Sequence, residues 1–318
     1  MRLPCFAMIA IAALTLTQQS FAQRAEIRRT FTLNATQPLQ LDVEVPSGVL
    51  QILYGRDGEV SITGVGRGAE GVKLDDSFFP GVLTVEQNGN HLSIRHVPNP
   101  AYPEKGISIV YRIDVPYRTE VTSRMNRGNQ NIAGILGPVR ALVGTGDIKA
   151  SYISRGLQAQ VDTGNLDIQV IGERVDAKAG VGNISCSRLP QGVSAETGDG
   201  DINLTVVGPS TTTIKKGNGR IEVGGARASF VGSTDAGDLH IRSAPHDDWQ
   251  LNSVSGSVRL ELPPAAKFDL DASTDSGDFQ FNRDDIVKSG FRLRSLGREG
   301  TGGNRINVHT GSGKIVIL

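Results

Sequence analysis

The chain has 318 residues, 33 basic and 33 acidic side chains, and 38% hydrophobic residues, enough for one large or two ordinary domains. A formal charge of zero with no Lys/Arg run leaves no electrostatic footprint for nucleic acid or a membrane surface. Glycine is abundant at 39 residues while aromatics make up only 5%, a mixture that suits many short strands and tight turns more than a helical protein.

The N-terminus, MRLPCFAMIAIAALTLTQQSFAQ, carries Arg2, an apolar stretch to Leu16 and a polar run ending Ser20-Phe21-Ala22. Small residues at −3 and −1 predict a secretory signal peptide over 1–22, cleaved after Ala22. A membrane anchor is the alternative, but about 14 apolar residues fall short of the roughly 20 that a spanning helix needs. Cys5 lies too early for a lipoprotein cleavage site, and no later segment could span a bilayer. The mature chain then begins near Gln23 with Cys186 as its single thiol, so the fold holds by burial and hydrogen bonding without an internal disulfide. The expected location is the periplasm, the outer surface or the medium.

Residues 23–116 read as an N-terminal β section that caps or continues a repeat region over 117–318. VPSGVLQILYGRDGEVSITGVG (45–66) resembles one coil, with Gly48 at its turn and Leu50 and Ile52 pointing inward. LTVEQNGNHLSIRHV (83–97) predicts a hairpin turning at Asn88-Gly89. NPAYPEKG (99–106) is the best internal boundary, and ISIVYRIDVP (107–116) is another strand.

From 117 to 318 the chain repeats. Aligned on one glycine, the register is Gly128, Gly146, Gly164, Gly182, Gly200, Gly219, Gly237, Gly256, Gly277 and Gly313, in steps of 18 to 21 with a final step of 36. That double step implies a coil near 295, in SLGREGTGGN, that has lost its glycine or been remodelled. Seven residues before the glycine stands a mostly apolar column (Val121 and Val139 through Trp249, Leu270 and Ile306), and five before it a mostly small one. Two and four residues after it the columns are again mainly apolar, Cys186 taking one place in the second. Period-two alternation on both arms marks half-buried strands. The fold class expected is all-β: a single-stranded β-solenoid, a β-helix-like stack of about ten coils of 18–21 residues, each rising about 4.8 Å. One G-[ND]-[IL]-x-[apolar] signal per coil differs from the triple hexad of a left-handed β-helix and leaves the hand open.

Three stretches resemble a known family: FTLNATQPLQLDVEVPSGVLQILYGRDGEVSITG, IDVPYRTEVTSRMNRGNQNIAGILGPVRALVGTGDIKAS, and the closing LPPAAKFDLDASTDSGDFQF with GGNRINVHTGSGKIVIL. Over most of 30–318 the chain is similar to the bacterial "putative adhesin" family, a domain of unknown function. The resemblance implies an exported or envelope β-repeat protein and supplies no catalytic residues.

The residue after each turn glycine forms its own column, including Asp147, Asn165, Asn183, Asp201, Asp238 and Asp278 after Gly146, Gly164, Gly182, Gly200, Gly237 and Gly277. One reading is a carboxylate ladder for calcium, with Asp199 and Asp201 the weak candidates for metal. The other is turn chemistry, glycine supplying positive φ and Asn or Asp tolerating the turn. No two consecutive coils both carry Asp, as expected where no cation bridges them, so the second reading is preferred and no metal or cofactor is expected. Cys186 and Trp249 read as core, and His91, His96, His240, His246 and His309 lack ligand spacing. Asp247-Asp248 reads as a solvated turn. The chain contains no G-x-S-x-G elbow and no P-loop. The expectation is a non-catalytic adhesion, binding or structural module whose partner is an envelope or extracellular glycan or protein. A polysaccharide-active β-helix enzyme and an envelope-stress sensor or assembly component are the alternatives. The apolar end TGSGKIVIL suggests self-association through the C-terminal coil or packing beneath 283–304.

Overall fold

A computed structural model describes residues 24–34, 36–102, 106–208, 211–226, 229–282, 286–290, 292–295 and 304–318. The expected signal peptide 1–22 with Cys5, and most of SLGREGTGGN, lie outside the described residues. The described chain is nearly all strand, with one five-residue helix, Phe78–Val82.

Each coil is two strands meeting at the repeat glycine. The strand before it belongs to a first wall and the strand after it to a second. Val139–Thr145 and Ile148–Ile153 form one coil; Leu157–Thr163 and Leu166–Ile171 form the next. Successive coils pair in parallel and in register, Val139 beside Leu157 and Ile148 beside Leu166, so like residues stack on like. Val139, Ala141 and Val143 on the first wall and Ile148 and Ala150 on the second are buried, as period-two alternation requires. At the far end of the second wall the alternation breaks: Tyr152, Val170 and Arg188 take φ of 55–56°, and Gly134 and Gly225 do the same with φ of 76° and 73°. This left-handed residue turns the next side chain inward, giving a further core column of Ile135, Ile153, Ile171 and Leu189. The coil is therefore a flattened loop with a thin core.

The stack starts before residue 117. Leu39–Tyr54 is a full coil, with Gly48 beside Gly128 and Ile52 beside Ile132. Its outer edge is covered in two halves, by His91–His96 and by Ile107–Val115. Antiparallel strands extend both covers: Leu83–Asn88, completing the expected hairpin, and Glu59–Gly68 with Arg24–Thr32. The short helix pushes Phe78 and Phe79 into this cap, where their rings pack on Tyr102 and Tyr111 at 5.0 and 6.2 Å.

The C-terminal end corrects two expectations. The last coil, Asn304–Thr310 with Ile315–Ile317, is not last in space. Ile306 pairs with Trp249 on one side and with Leu270 on the other, and Ile315 lies between Val258 and Phe279. The final coil thus inserts between the two that precede it. The double step needs no lost coil, since the chain passes beyond the 268–281 coil and returns. On its way Arg292–Ser295 pairs antiparallel with Phe268–Thr274 and with Ile286–Ser289. Ile315 and Ile317 are fully buried with a strand on either side, so the C-terminal coil offers no open edge for self-association. Asp248, expected to be merely solvated, accepts the Arg305 N–H at 2.7 Å, and Asn304 donates to the Pro245 carbonyl at 2.8 Å; the loop clamps the inserted coil.

Eleven stacked glycines, Gly48 with the ten of the repeat, form the corner between the walls. A Cβ on any of the ten would run into the backbone of the glycine in the coil beneath, the Gly200 carbonyl for Gly219. Gly182, for example, has φ of 144° and faces the Gly164 carbonyl directly. Gly89, at the hairpin tip, also has positive φ (60°) but open space around it. Denaturant unfolding should therefore separate them: Gly182→Ala is expected to cost about 3 kcal/mol or more, and Gly89→Ala about 1 kcal/mol.

Candidate functional site

The corner is where the sequence concentrates its polar signal, and the structure shows what that signal does. In five successive coils the side chain after the glycine reaches one coil onward and accepts the backbone N–H of its counterpart. Asn129 Oδ1 accepts from Asp147 at 3.0 Å, Asp147 from Asn165 at 2.8 Å, Asn165 from Asn183 at 3.0 Å, and Asn183 from Asp201 at 2.7 Å. Asp201 then accepts from Arg220 at 2.8 Å. Arg220 has no acceptor to continue the ladder, which resumes once, from Asp238 to Ser257 at 2.8 Å. Asp278, in the last coil of the stack, turns back to the Phe279 N–H at 2.7 Å and to Lys288 at 3.3 Å, and these contacts hold its carboxyl below the usual range. Gly146, Gly164, Gly182, Gly200, Gly237 and Gly277 all lie in the stacked corner.

Asp199 and Asp201 sit on either side of Gly200, and one oxygen of each is engaged. Asn218 Nδ2 donates to Asp199 Oδ1 at 2.6 Å, and Arg220 N–H holds Asp201 Oδ1. The cation beside them is Lys216, whose side chain is fully buried with Nζ 3.9 Å from Asp201 Oδ1. Among the described residues no three His, Cys, Asp or Glu side chains converge on one point.

Lys216 belongs to an inward column three residues before the glycine, which sequence reasoning missed. The column is apolar at Val143, Val161 and Ala179, then polar at Thr197, Lys216, Thr234, Ser253, Thr274 and Thr310. The change reads as noise unless the alternation is carried one step closer to the turn. The hydroxyls are satisfied at the corner: Thr197 donates to the Gly182 carbonyl and Thr310 to the Gly256 carbonyl, both at 2.9 Å. Lys216 Nζ has no hydrogen-bond partner among the described residues, and burial lowers its pKa. Gln130 is a second buried polar group, but it accepts from Ser123 at 2.8 Å and donates to Leu142 O at 3.2 Å.

Outside, the first wall carries a shallow open groove of about 580 Å³ over successive coils. Its floor is lowered by Gly180, Gly198 and Gly217, and Lys178 pairs with Glu196 across it at 3.1 Å. On the second wall Glu261 accepts from Arg242 at 2.7 Å, Arg259 at 2.9 Å and His240 at 3.0 Å, which brings its pKa down to about 2. His240 is thus half-buried in an ion cluster. Cys186 and Trp249 are buried, as expected, and burial pushes the thiol up to about 12. Among the described residues no helix is long and apolar enough to cross a membrane.

Residues 83–318 match the family described as Toastrack DUF4097. No curated protein matches the chain. It is similar to solved proteins described as a putative adhesin from Parabacteroides distasonis (11% identity, 91% of this chain and 96% of that one, TM-score 0.38) and a putative adhesin from Bacteroides fragilis (10%, 92% and 97%, 0.35). A putative cell adhesion protein from Clostridium sporogenes is similar at 12% identity, over 92% of this chain and 98% of that one, with a TM-score of 0.23. These likenesses are too distant to inform the ligand.

Replacing Lys216 by the threonine of its neighbours, Lys216→Thr, should raise stability by about 1 kcal/mol, because a buried donor without a partner is removed. The pH dependence carries the same signature. The folded-state pKa of Lys216 lies below the ordinary 10.5, so the unfolded chain binds a proton the folded chain has lost, and stability rises with pH up to 10.5. Urea melts at stepped alkaline pH should show this rise in the parent chain and its loss in Lys216→Thr.

Proposed function

We propose that this chain, which belongs to the Toastrack DUF4097 family, is an exported, non-catalytic binding module that presents the flat outer walls of its solenoid to a repetitive envelope or extracellular ligand. The observation that carries the reading is the in-register outer surface. Side chains one coil apart form rows at a fixed spacing of about 4.8 Å, held by a rigid backbone. Such a surface suits many weak contacts with a polymer more than deep enclosure of a small substrate. The charged rows are largely paired along the stack, Lys149 with Asp167 and Arg155 with Glu173, which leaves a neutral, hydrated face.

Export through the 1–22 segment belongs to the same proposal, and the exported protein should begin at Gln23. Purified 23–318 is expected to bind intact cells or envelope glycans without releasing sugars. Saturable binding with no product by chromatography supports the module; sugar release with turnover contradicts it and favours a polysaccharide-active enzyme.

A further inference from the structure

Three of the chain's five tyrosines are exposed together at one corner of the stack, where the second wall ends. Tyr54, Tyr117 and Tyr152 are 52%, 40% and 62% exposed, while Tyr111 is buried in the cap. Tyr54, Gly134 and Tyr152 occupy the same position of three successive coils, since Leu53 pairs with Ala133 and Ala133 with Ser151. The glycine between them carries no side chain, and Tyr54 Cβ lies 2.8 Å from where a Cβ on Gly134 would stand. Tyr117 flanks it, its ring 5.8 Å from that of Tyr54 at 77° and its hydroxyl 3.1 Å from Ser154 Oγ. Tyr152 has no hydrogen-bond or ring partner among the described residues. It holds φ of 55°, the left-handed conformation that Val170 and Arg188 share at the same position of the next coils and that turns Ile153 into the core, so the tyrosine ring is left on the surface. The neighbouring polar groups, Ser151, Ser154 and Gln169, are uncharged.

We propose that this corner is a carbohydrate-binding platform on which Tyr54 and Tyr152 stack against alternate sugars of a β-1,4-linked pyranose chain lying along the solenoid axis. Two coil spacings set the two positions about 9.5 Å apart. A β-1,4-linked chain turns over at each linkage, so sugars two apart present the same face, and one disaccharide repeat spans about this distance. The apolar face of each pyranose meets a tyrosine ring, and the tyrosine and serine hydroxyls serve its rim. Gly134, between them, presents no side chain of its own to the intervening sugar. The proposal rests on the binding-module reading and names its ligand class.

The test is calorimetric titration of the purified chain with cellotetraose and chitotetraose, beside a whole-cell binding assay. At least one oligosaccharide should bind. Tyr152→Gly, which places the residue of coils 134 and 225 in the same backbone conformation, should weaken it about tenfold or more with an unchanged circular dichroism spectrum. Tyr152→Trp should retain binding, as should Val254→Ala, an exposed apolar residue on the other wall. Equal affinity in Tyr152→Gly overturns the platform. Binding to cells but to neither oligosaccharide overturns the ligand class and leaves the module reading standing. Failure to bind cells, glycans or oligosaccharides overturns both.

Discussion

Everything in this molecule depends on how closely its coils meet at the glycine corner. The glycine of each coil lies against the backbone of the one beneath, leaving no room for a Cβ, and φ there exceeds +115° in every coil from Gly48 to Gly237. That contact fixes register, because a slip of one residue would place a side chain in the corner and turn the core columns outward. It also decides where length can vary. The arm before the glycine is constant, Thr212 to Gly219 matching Val193 to Gly200, and among the described residues the longer steps are absorbed at the opposite corner, in the stretches 243–248 and 262–267. The Asn/Asp ladder adds a hydrogen bond where consecutive strands break and their N–H groups would otherwise face water.

The glycine and apolar columns were legible because stacking like on like makes each structural demand recur at the same offset. Thr212 in the −7 column and Gln130 at +2 do not break the pattern, since each is buried in its expected place. The order of the last coils was not legible. Trp249, Leu270 and Ile306 are all apolar at −7, so sequential and interleaved stacking satisfy the same columns. Specific polar contacts choose between them: Asp248 with the Arg305 amide, Asn304 with the Pro245 carbonyl, and the 286–295 hairpin on the outer edge of Phe268–Thr274. Lys216 was missed for a related reason. A buried lysine breaks the inward pattern of its column, and its neighbour Lys215 is exposed, so the pair carries no sign of which one faces inward.

Covering strands at both ends direct function toward the faces. An open solenoid edge recruits other strands, and here Leu39–Tyr54 is covered by the parallel strands His91–His96 and Ile107–Val115, and part of Phe268–Thr274 by Arg292–Ser295. The side walls remain, regular and hydrated. Their exposed ion pairs contribute about 0–1 kcal/mol each and serve solubility more than stability. Against that polar background the exposed tyrosines around Gly134 are the main departure, which is why the ligand is assigned there.

The corner ladder can be tested amide by amide. Native-state hydrogen exchange by NMR should show protection at Asn165, Asn183, Asp201 and Arg220, whose N–H groups sit at an exposed corner but donate to side chains of the preceding coil. The Asp238 amide follows Arg220 in the stack, has no such acceptor, and should exchange much faster. Protection of the four with rapid exchange at Asp238 is the predicted result. Uniformly rapid exchange along the corner would contradict the account, because the coils would then not be stacked in this register.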